Sequence, residues 1–164
     1  KNLVLVQGGN YDFMHCTVAT FSNNFILHKE PVLYLSNYVL DNNIPITADL
    51  SAAFTNCIFW GDNETTVEDE VVVTKSGSSA FNVNFESNLW RVKTDPAEAT
   101  LNNIINNQSP EFDSIGTSKQ FYNFRLRPTS PAIDKASSSS IAIDLDGNAR
   151  PVGTAADLGC FEKQ

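Results

Sequence analysis

Short apolar runs bounded by Gly, Asn, Asp or Ser recur along the first half of the chain and predict β-strands. Such runs occupy residues 3–6, 32–39 and 71–74. The second run is followed by the turn-forming residues 41–43, and the third by a polar loop at residues 75–79. The pattern therefore predicts a mainly β structure.

Two segments, residues 13–19 and 54–60, align with each other at an offset of 41 residues. A weaker third copy, residues 85–91, follows after a further 31 residues. Each copy starts with Phe and places a polar residue between apolar neighbours, where we expect the chain to turn a corner. These corner residues are His15, Asn56 and Ser87. Repeats of this length are typical of stacked folds, because a solitary repeat cannot bury its own apolar face.

The unequal spacing of the copies leaves two explanations open. Loops of variable length can extend from a regular stack, or an additional rung can lie between the first two copies. The apolar run at residues 32–39 is the candidate for such a rung.

Residues 95–107 predict one short α-helix. Asp95 is a suitable N-cap, Pro96 suits the first helical position and Glu98 lies near the capping-box position. An apolar stripe with helical spacing follows at Leu101, Ile104 and Ile105. Residues 108–164 are rich in Pro and Ser yet dense in apolar side chains, so they predict a capping segment packed on the stack and not a linker.

Composition and charge restrict the classes of function. Eighteen Asn suit a chain with many turns, and the net charge of −8 argues against nucleic acid as a partner. No apolar run is long enough to span a membrane. Cys16, Cys57 and Cys160 lack metal-site spacing, so we expect packed thiols, with a Cys16–Cys57 disulfide as the alternative.

Two stretches near the end of the sequence resemble a known family. Residues 124–134 read FRLRPTSPAID, and residues 144–151 and 157–162 read DLDGNARP and DLGCFE. These stretches resemble the closing motifs F-R-L-x-x-x-S-P-A-I-D and D-x-D-G-x-x-R-P…D-x-G-A-Y-E of secreted bacterial β-helix proteins of the choice-of-anchor type. Cys160 departs from the Ala usual in that family. Residues 56–63 resemble one of the family's rungs.

The resemblance implies an all-β, right-handed parallel β-helix located outside the cell or on its surface. We expect one domain over residues 1–164, with rungs over 1–94, the helix over 95–107 and the capping segment over 108–164. We also expect further rungs N-terminal to this sequence. Because fold alone does not fix function, any activity has to be argued from a site.

Four groups of residues are candidates for a site. The acidic loop, residues 62–70, has carboxylates suited to acid–base chemistry or calcium, although a solvated loop is the simpler interpretation. The second group is aromatic: Trp60, Trp90, Tyr34 and Tyr38 can stack on sugar rings or pack in the core. The carbohydrate-binding candidates are Trp60, Trp90, Tyr34, Tyr38, Asp62 and Glu64.

The third group, Asp144, Asp146 and Asn148, begins like a calcium loop but lacks its Gly and final Glu, which favours a tight turn without metal. In the fourth, His15 and His28 have no nucleophile motif beside them, and His15 aligns with the corner residue Asn56.

The sequence thus predicts a non-catalytic part of a secreted or surface β-helix protein that binds polysaccharide, with no metal and no cofactor. The alternative is a fragment of a polysaccharide lyase or glycoside hydrolase of the pectate-lyase-like β-helix type.

Overall fold

The computed structural model describes residues 1–23, 25–62 and 67–164. Their strands are, in chain order, β1 (Leu3–Val6), β2 (Gly9–Met14), β3 (Thr17–Thr20), β4 (Leu33–Ser36), β5 (Tyr38–Asp41), β6 (Ile44–Thr47), β7 (Leu50–Thr55), β8 (Ile58–Gly61), β9 (Val71–Thr74), β10 (Phe81–Glu86), β11 (Leu89–Trp90), β12 (Thr100–Asn102), β13 (Ile105–Asn106), β14 (Phe112–Gly116) and β15 (Phe121–Leu126). One turn of 3₁₀ helix spans Thr117–Lys119. The described residues contain no helix long and apolar enough to cross a membrane.

Eleven of these strands form three parallel sheets through which the chain passes in a repeated order. Sheet A has the order β1-β4-β9, sheet B has β12-β10-β7-β2, and sheet C has β13-β11-β8-β3. The chain visits A, B and C three times, and then B and C once more. We call each passage a circuit. The predicted all-β class and its mostly parallel strands are confirmed.

The repeat inferred from the sequence matches the register of the strands. Phe13 pairs with Phe54, and Phe54 pairs with Phe85. Their rings stack with centroids 5.1 Å and 4.8 Å apart. Parallel pairing at constant register places like side chains on one another, which explains why the same residue types recur at the same positions.

The predicted corner residues lie where the chain turns from sheet B into sheet C. His15, Asn56 and Ser87 have φ angles of 51°, 59° and 53°, and Asn103 repeats the turn in the fourth circuit with φ 54°. Asn tolerates this left-handed region better than most residues, which is one reason for its abundance. The backbone N–H groups of the first three corners continue the ladder by donating to Thr55, Glu86 and Asn102.

The second circuit is longer than the third because it contains an antiparallel hairpin and not because of an additional rung. The run predicted as one strand at residues 32–39 divides into β4 and β5. β4 lies between β1 and β9 in sheet A, whereas β5 pairs with β6 in a separate hairpin. Asn42 and Asn43, both with positive φ, form its turn. Variable loop length is therefore the correct explanation.

The predicted α-helix at residues 95–107 is wrong. The segment contains β12, the left-handed corner Asn103 and β13, which form the fourth circuit. Leu101 and Ile104 pack against the core between the sheets, whereas Ile105 packs on the outer face of sheet C. An apolar spacing that suits one face of a helix here serves two short strands joined by a corner, because pairing with β10 and β11 outweighs local helix propensity.

Two apolar clusters divide the core. The first lies between the three sheets and includes Leu35, Phe54, Phe59 and Trp90. The second lies on the outer face of sheet C and joins that sheet to residues 108–164, which we call the tail. Sheet C members of this cluster are Ile58, Trp60 and Leu89, and tail members are Phe112, Leu126, Ala132 and Leu158. β8 is thus buried on both faces.

Candidate functional site

A cleft of about 550 Å³ opens beside the ends of β8, β11 and β13, and we call it the Trp60 cleft. Its chemically informative lining residues are Trp60, Glu68, Arg91, Lys93, Asn107 and Ser109. The parallel register creates this grouping. Phe59 pairs with Trp90 and Trp90 pairs with Asn106, so the residues that follow, Trp60, Arg91 and Asn107, occupy equivalent positions in three successive circuits.

Behind Arg91 lies a buried cluster built around Glu70, whose side chain is 0% exposed. The Glu70 carboxylate contacts His28 Nε2 at 2.8 and 2.9 Å and Arg91 Nη2 at 2.5 Å. It also accepts a hydrogen bond from the backbone N–H of Val32 at 3.2 Å. A carboxylate removed from water needs such partners, and their number indicates that Glu70 fixes the position of Arg91 at the cleft wall.

The same cluster explains the glycine that ends β8. A Cβ atom on Gly61 would lie 1.9 Å from Glu70 Oε1 and 2.5 Å from His28 Nε2. The backbone of β8 must therefore pass directly against the ion pairs, and only glycine leaves room for them.

The other described carboxylates of the acidic loop have local structural partners. Asp62 Oδ2 accepts the backbone N–H of Ser22, and the Asp62 carbonyl accepts from Arg91 at 3.1 Å. Asp69 accepts the backbone N–H groups of Lys93 and Thr94 at 2.7 and 3.0 Å.

Glu68 pairs with Lys93 at 2.9 Å on the exposed rim. Glu64, predicted as a binding residue, lies outside the described residues.

The predicted aromatic residues occupy three different environments. Trp60 lines the cleft although it is only 7% exposed, and Trp90 is fully buried in the core. Tyr34 lies in sheet A, where its ring is 4.6 Å from Lys1 Nζ. Tyr38 begins the hairpin. Of the predicted binding residues, the cleft includes Trp60 and adjoins Asp62, whereas both tyrosines belong to other elements.

His15 holds the tail to the corner between β2 and β3. Its Nδ1 is 3.2 Å from the carbonyl of Asp157, and its Nε2 is 2.9 Å from Ser139 Oγ and 3.1 Å from Asn56 Nδ2. Burial, and secondarily the nearby Arg150, lowers the pKa of His15 from 6.5 to about 4. A neutral ring that donates from Nδ1 and accepts at Nε2 satisfies these contacts, so the predicted corner role accounts for His15 without a catalytic one.

The segment that resembles the start of a calcium loop is a closed turn. Asp144 Oδ1 accepts from the backbone of Asp146 and Asn148 at 2.9 and 2.8 Å, and Oδ2 accepts from Glu162 at 3.0 Å. Burial acts to raise the pKa of Asp144, but these hydrogen bonds outweigh it and lower the pKa. The Arg125 guanidinium donates hydrogen bonds to both carboxylate oxygens of Asp146. Within residues 1–23, 25–62 and 67–164, no group of three or more His, Cys, Asp or Glu is placed to hold a metal ion.

The sequence indicated Trp60 and the acidic loop but missed two other residues of the cleft, Arg91 and Asn107. The signal for Arg91 was present, because the offset of 31 residues between the second and third copies places it beside Trp60. His28 was a candidate by residue type alone. It precedes β4 outside the repeated segments, so no pattern indicated its contact with Glu70. Searches with the chain found no matching family model, curated protein or solved structure.

Proposed function

We propose that this chain is a non-catalytic, glycan-binding part of a secreted or cell-surface bacterial protein, and that its circuits are coils of a right-handed parallel β-helix. The repeated A–B–C order and the constant register support a helical path. We expect a right-handed path, because crossover connections between parallel strands are right-handed in nearly all proteins. The location outside the cell follows from the resemblance to choice-of-anchor proteins. Further N-terminal coils, which belong to the same proposal, would pair with β1, β2 and β3.

The observation that carries the binding proposal is the composition of the Trp60 cleft. Part of an indole ring lies beside polar side chains, including Ser109 of the tail and Asn107, whose amide is paired with the backbone of Val92. Aromatic surface next to a few convergent polar groups is the usual pattern of small-molecule sites, and it suits the apolar faces and hydroxyl groups of a sugar.

The charges at the cleft favour a neutral glycan. Arg91 is paired with buried Glu70, and Lys93 is paired with Glu68, so carboxylates of the chain balance both positive charges at the cleft. The chain as a whole carries a net charge of −8 and repels polyanions. We therefore expect neutral oligosaccharides to bind more tightly than uronate-containing ones.

The partners of Glu68, Asp69 and Glu70 support binding without turnover. Glycoside hydrolysis needs two carboxyl groups that can exchange protons with substrate or water. The Glu70 carboxylate is buried and paired with His28 and Arg91. Asp69 accepts backbone N–H groups, and Glu68 forms an ion pair with Lys93.

A binding screen with a steric block in the cleft tests the proposal. Neutral and acidic plant, algal and host oligosaccharides are titrated by calorimetry, and Ser109→Trp then fills the cleft from its exposed wall. We expect this substitution to weaken binding at least tenfold, which is about 1.4 kcal/mol. Ser78→Trp, on the exposed loop after β9, is the matched control and should bind normally.

Equal binding by the two variants would reject the cleft as the site. Release of shorter sugars that is abolished by Asp62→Asn or Glu64→Gln would instead establish the lyase or hydrolase alternative.

A further inference from the structure

Cys16 and Cys57 are neighbours in adjacent circuits, at the position after the left-handed corner. The paired residues on either side, Met14 with Thr55 and Thr17 with Ile58, fix their register. Cys16 N–H donates to Cys57 Sγ at 3.4 Å, and the Cys57 thiol in turn lies 3.6 Å from the carbonyl of Phe13 in the first circuit. Adjacent strands are about 4.8 Å apart, which lies within the range of Cα separations that a disulfide spans. Both cysteines are nevertheless free thiols.

The two thiols differ in access and acidity. Cys57 is 0% exposed within the core, whereas Cys16, in the first circuit, is partly exposed. The hydrogen bond from Cys57 lowers the pKa of Cys16 from 9.0 to about 7, and burial raises the pKa of Cys57 well above its ordinary value. One sulfur is thus a thiolate in a large fraction of molecules at neutral pH, and it is also the one that solvent reaches.

A purely structural role is the competing explanation, and the third circuit illustrates it. There Asn88 follows the corner and accepts the backbone N–H of Cys57 at 2.8 Å, much as Cys57 accepts that of Cys16. The side chain of Asn88 also donates to the carbonyl of Phe54. Asn makes both contacts with better geometry than a thiol, so the ladder alone does not account for two cysteines in succession.

We propose that Cys16 and Cys57 form a peroxide-sensitive dithiol site, in which Cys16 is oxidised first and Cys57 then closes an intramolecular disulfide between the first and second circuits. This inference is independent of the Trp60 cleft.

The chemistry proceeds in two steps. The Cys16 thiolate attacks one oxygen of hydrogen peroxide, so that an S–O bond forms, the O–O bond breaks and hydroxide leaves as water after protonation. Cys57 then loses its proton and attacks the Cys16 sulfur. The S–O bond breaks, the S–S bond forms, and the departing hydroxide takes up that proton as a second water. The two thiols together give two electrons to the peroxide.

Thiol counting on the reduced, full chain tests the proposal. After treatment with equimolar hydrogen peroxide and unfolding in denaturant, the three free thiols should fall to one. Peptide mapping should find a Cys16–Cys57 crosslink, and the oxidised protein should melt at a higher temperature because the bond restrains its unfolded state. The rate of thiol loss should rise with pH about a midpoint near 7, since it follows the Cys16 thiolate.

Four variants separate this site from general oxidation. Cys16→Ser should keep both of its remaining thiols, and Cys160→Ser, the matched control, should lose both of its thiols at the unmodified rate. Cys57→Ser should stop at a sulfenic acid on Cys16 that dimedone traps, and Cys57→Ala with circular dichroism checks that loss of the buried thiol leaves the fold intact. A crosslink to Cys160, a disulfide between two chains, or thiol loss no faster than that of free cysteine would overturn the proposal.

Discussion

His15 is a buried residue whose charge state affects the attachment of the tail to the first circuit. Its neutral ring contacts Asp157, Ser139 and Asn56, and protonation would turn Nε2 into a second donor beside the Asn56 amide. Arg150 would then face an additional positive charge in a site with little water. Attachment of the tail should therefore weaken in acid.

This argument predicts the pH dependence of stability. Folding lowers the pKa of His15 from 6.5 to about 4, so the unfolded chain binds more protons between these values, and stability falls as pH drops through that window. The full loss is on the order of 3 kcal/mol. Urea unfolding from pH 7 to pH 4 measures it, with His15→Asn as the non-titrating comparison. Asn suits the left-handed corner, as at Asn56. Parallel pH profiles for the two proteins would contradict the assignment.

Single residues also mark the limit of what the sequence could predict about the site. Trp60 and Trp90 have the same chemistry, and their burial differs because strand alternation turns Trp90 towards the core between the sheets and Trp60 towards the tail. Glu70 is one of five acidic residues in a loop. Its importance comes from His28 and Arg91, which only the folded chain brings to it.

At the scale of elements, the stacked strands and the β5–β6 hairpin contribute differently to stability. Phe54 and Phe85 in sheet B are completely buried. In the hairpin, the exposed fractions of Leu40, Ile44 and Ile46 are 61%, 66% and 44%. The hairpin's ends are adjacent, because Tyr38 pairs with Thr47. It therefore extends from the second circuit without interrupting the sheets.

Shortening the hairpin should cost little. Replacing residues 39–46 with Asn-Gly leaves Tyr38 and Thr47 joined by a two-residue turn that suits a hairpin. We expect the free energy of unfolding to change by less than about 1 kcal/mol, since the removed side chains are mostly exposed. Phe54→Ala, measured by the same denaturant titration, should cost about 3–5 kcal/mol. Similar losses for the two variants would show that the hairpin supports the stack.

The elements were predicted best where the pattern repeats. The copies that begin at Phe13, Phe54 and Phe85 predicted both the stacking and its register, because equivalent residues meet across parallel strands. The fourth copy of the repeat lies in residues 95–107 and was misassigned because it is short. Leu101, which pairs with Phe85, follows it by only 16 residues. Two strands of two or three residues contain too few positions to show alternation.

At the scale of the whole molecule, the tail lies along the outer face of sheet C and contacts successive circuits. Ser139 and Asp157 meet His15 of the first circuit, and Ser137 meets Asn56 of the second at 2.8 and 2.9 Å. Arrays of repeats held only by their neighbours unfold piecewise. Contacts from one segment to several circuits oppose such behaviour, so we expect the circuits and tail to unfold together.

Removing the tail should expose the strip of sheet C that it covers. Ile58 and Leu89 are 0% exposed and Trp60 is 7% exposed, and all three pack in the cluster that the tail completes. A protein limited to residues 1–107 should bind a hydrophobic dye strongly and elute from size-exclusion chromatography as aggregates, since large apolar patches drive association. A soluble, folded monomer of that length would mean that the strip needs no cover.

The position of the covering segment in the chain has a consequence for biosynthesis. Leu158, fully buried against sheet C, leaves the ribosome about 50 residues after the last strand of that sheet. At roughly 5–20 residues per second, translation leaves the apolar strip uncovered for several seconds. During that interval the nascent chain presents a binding surface for chaperones, and a pause in elongation after residue 107 would prolong it.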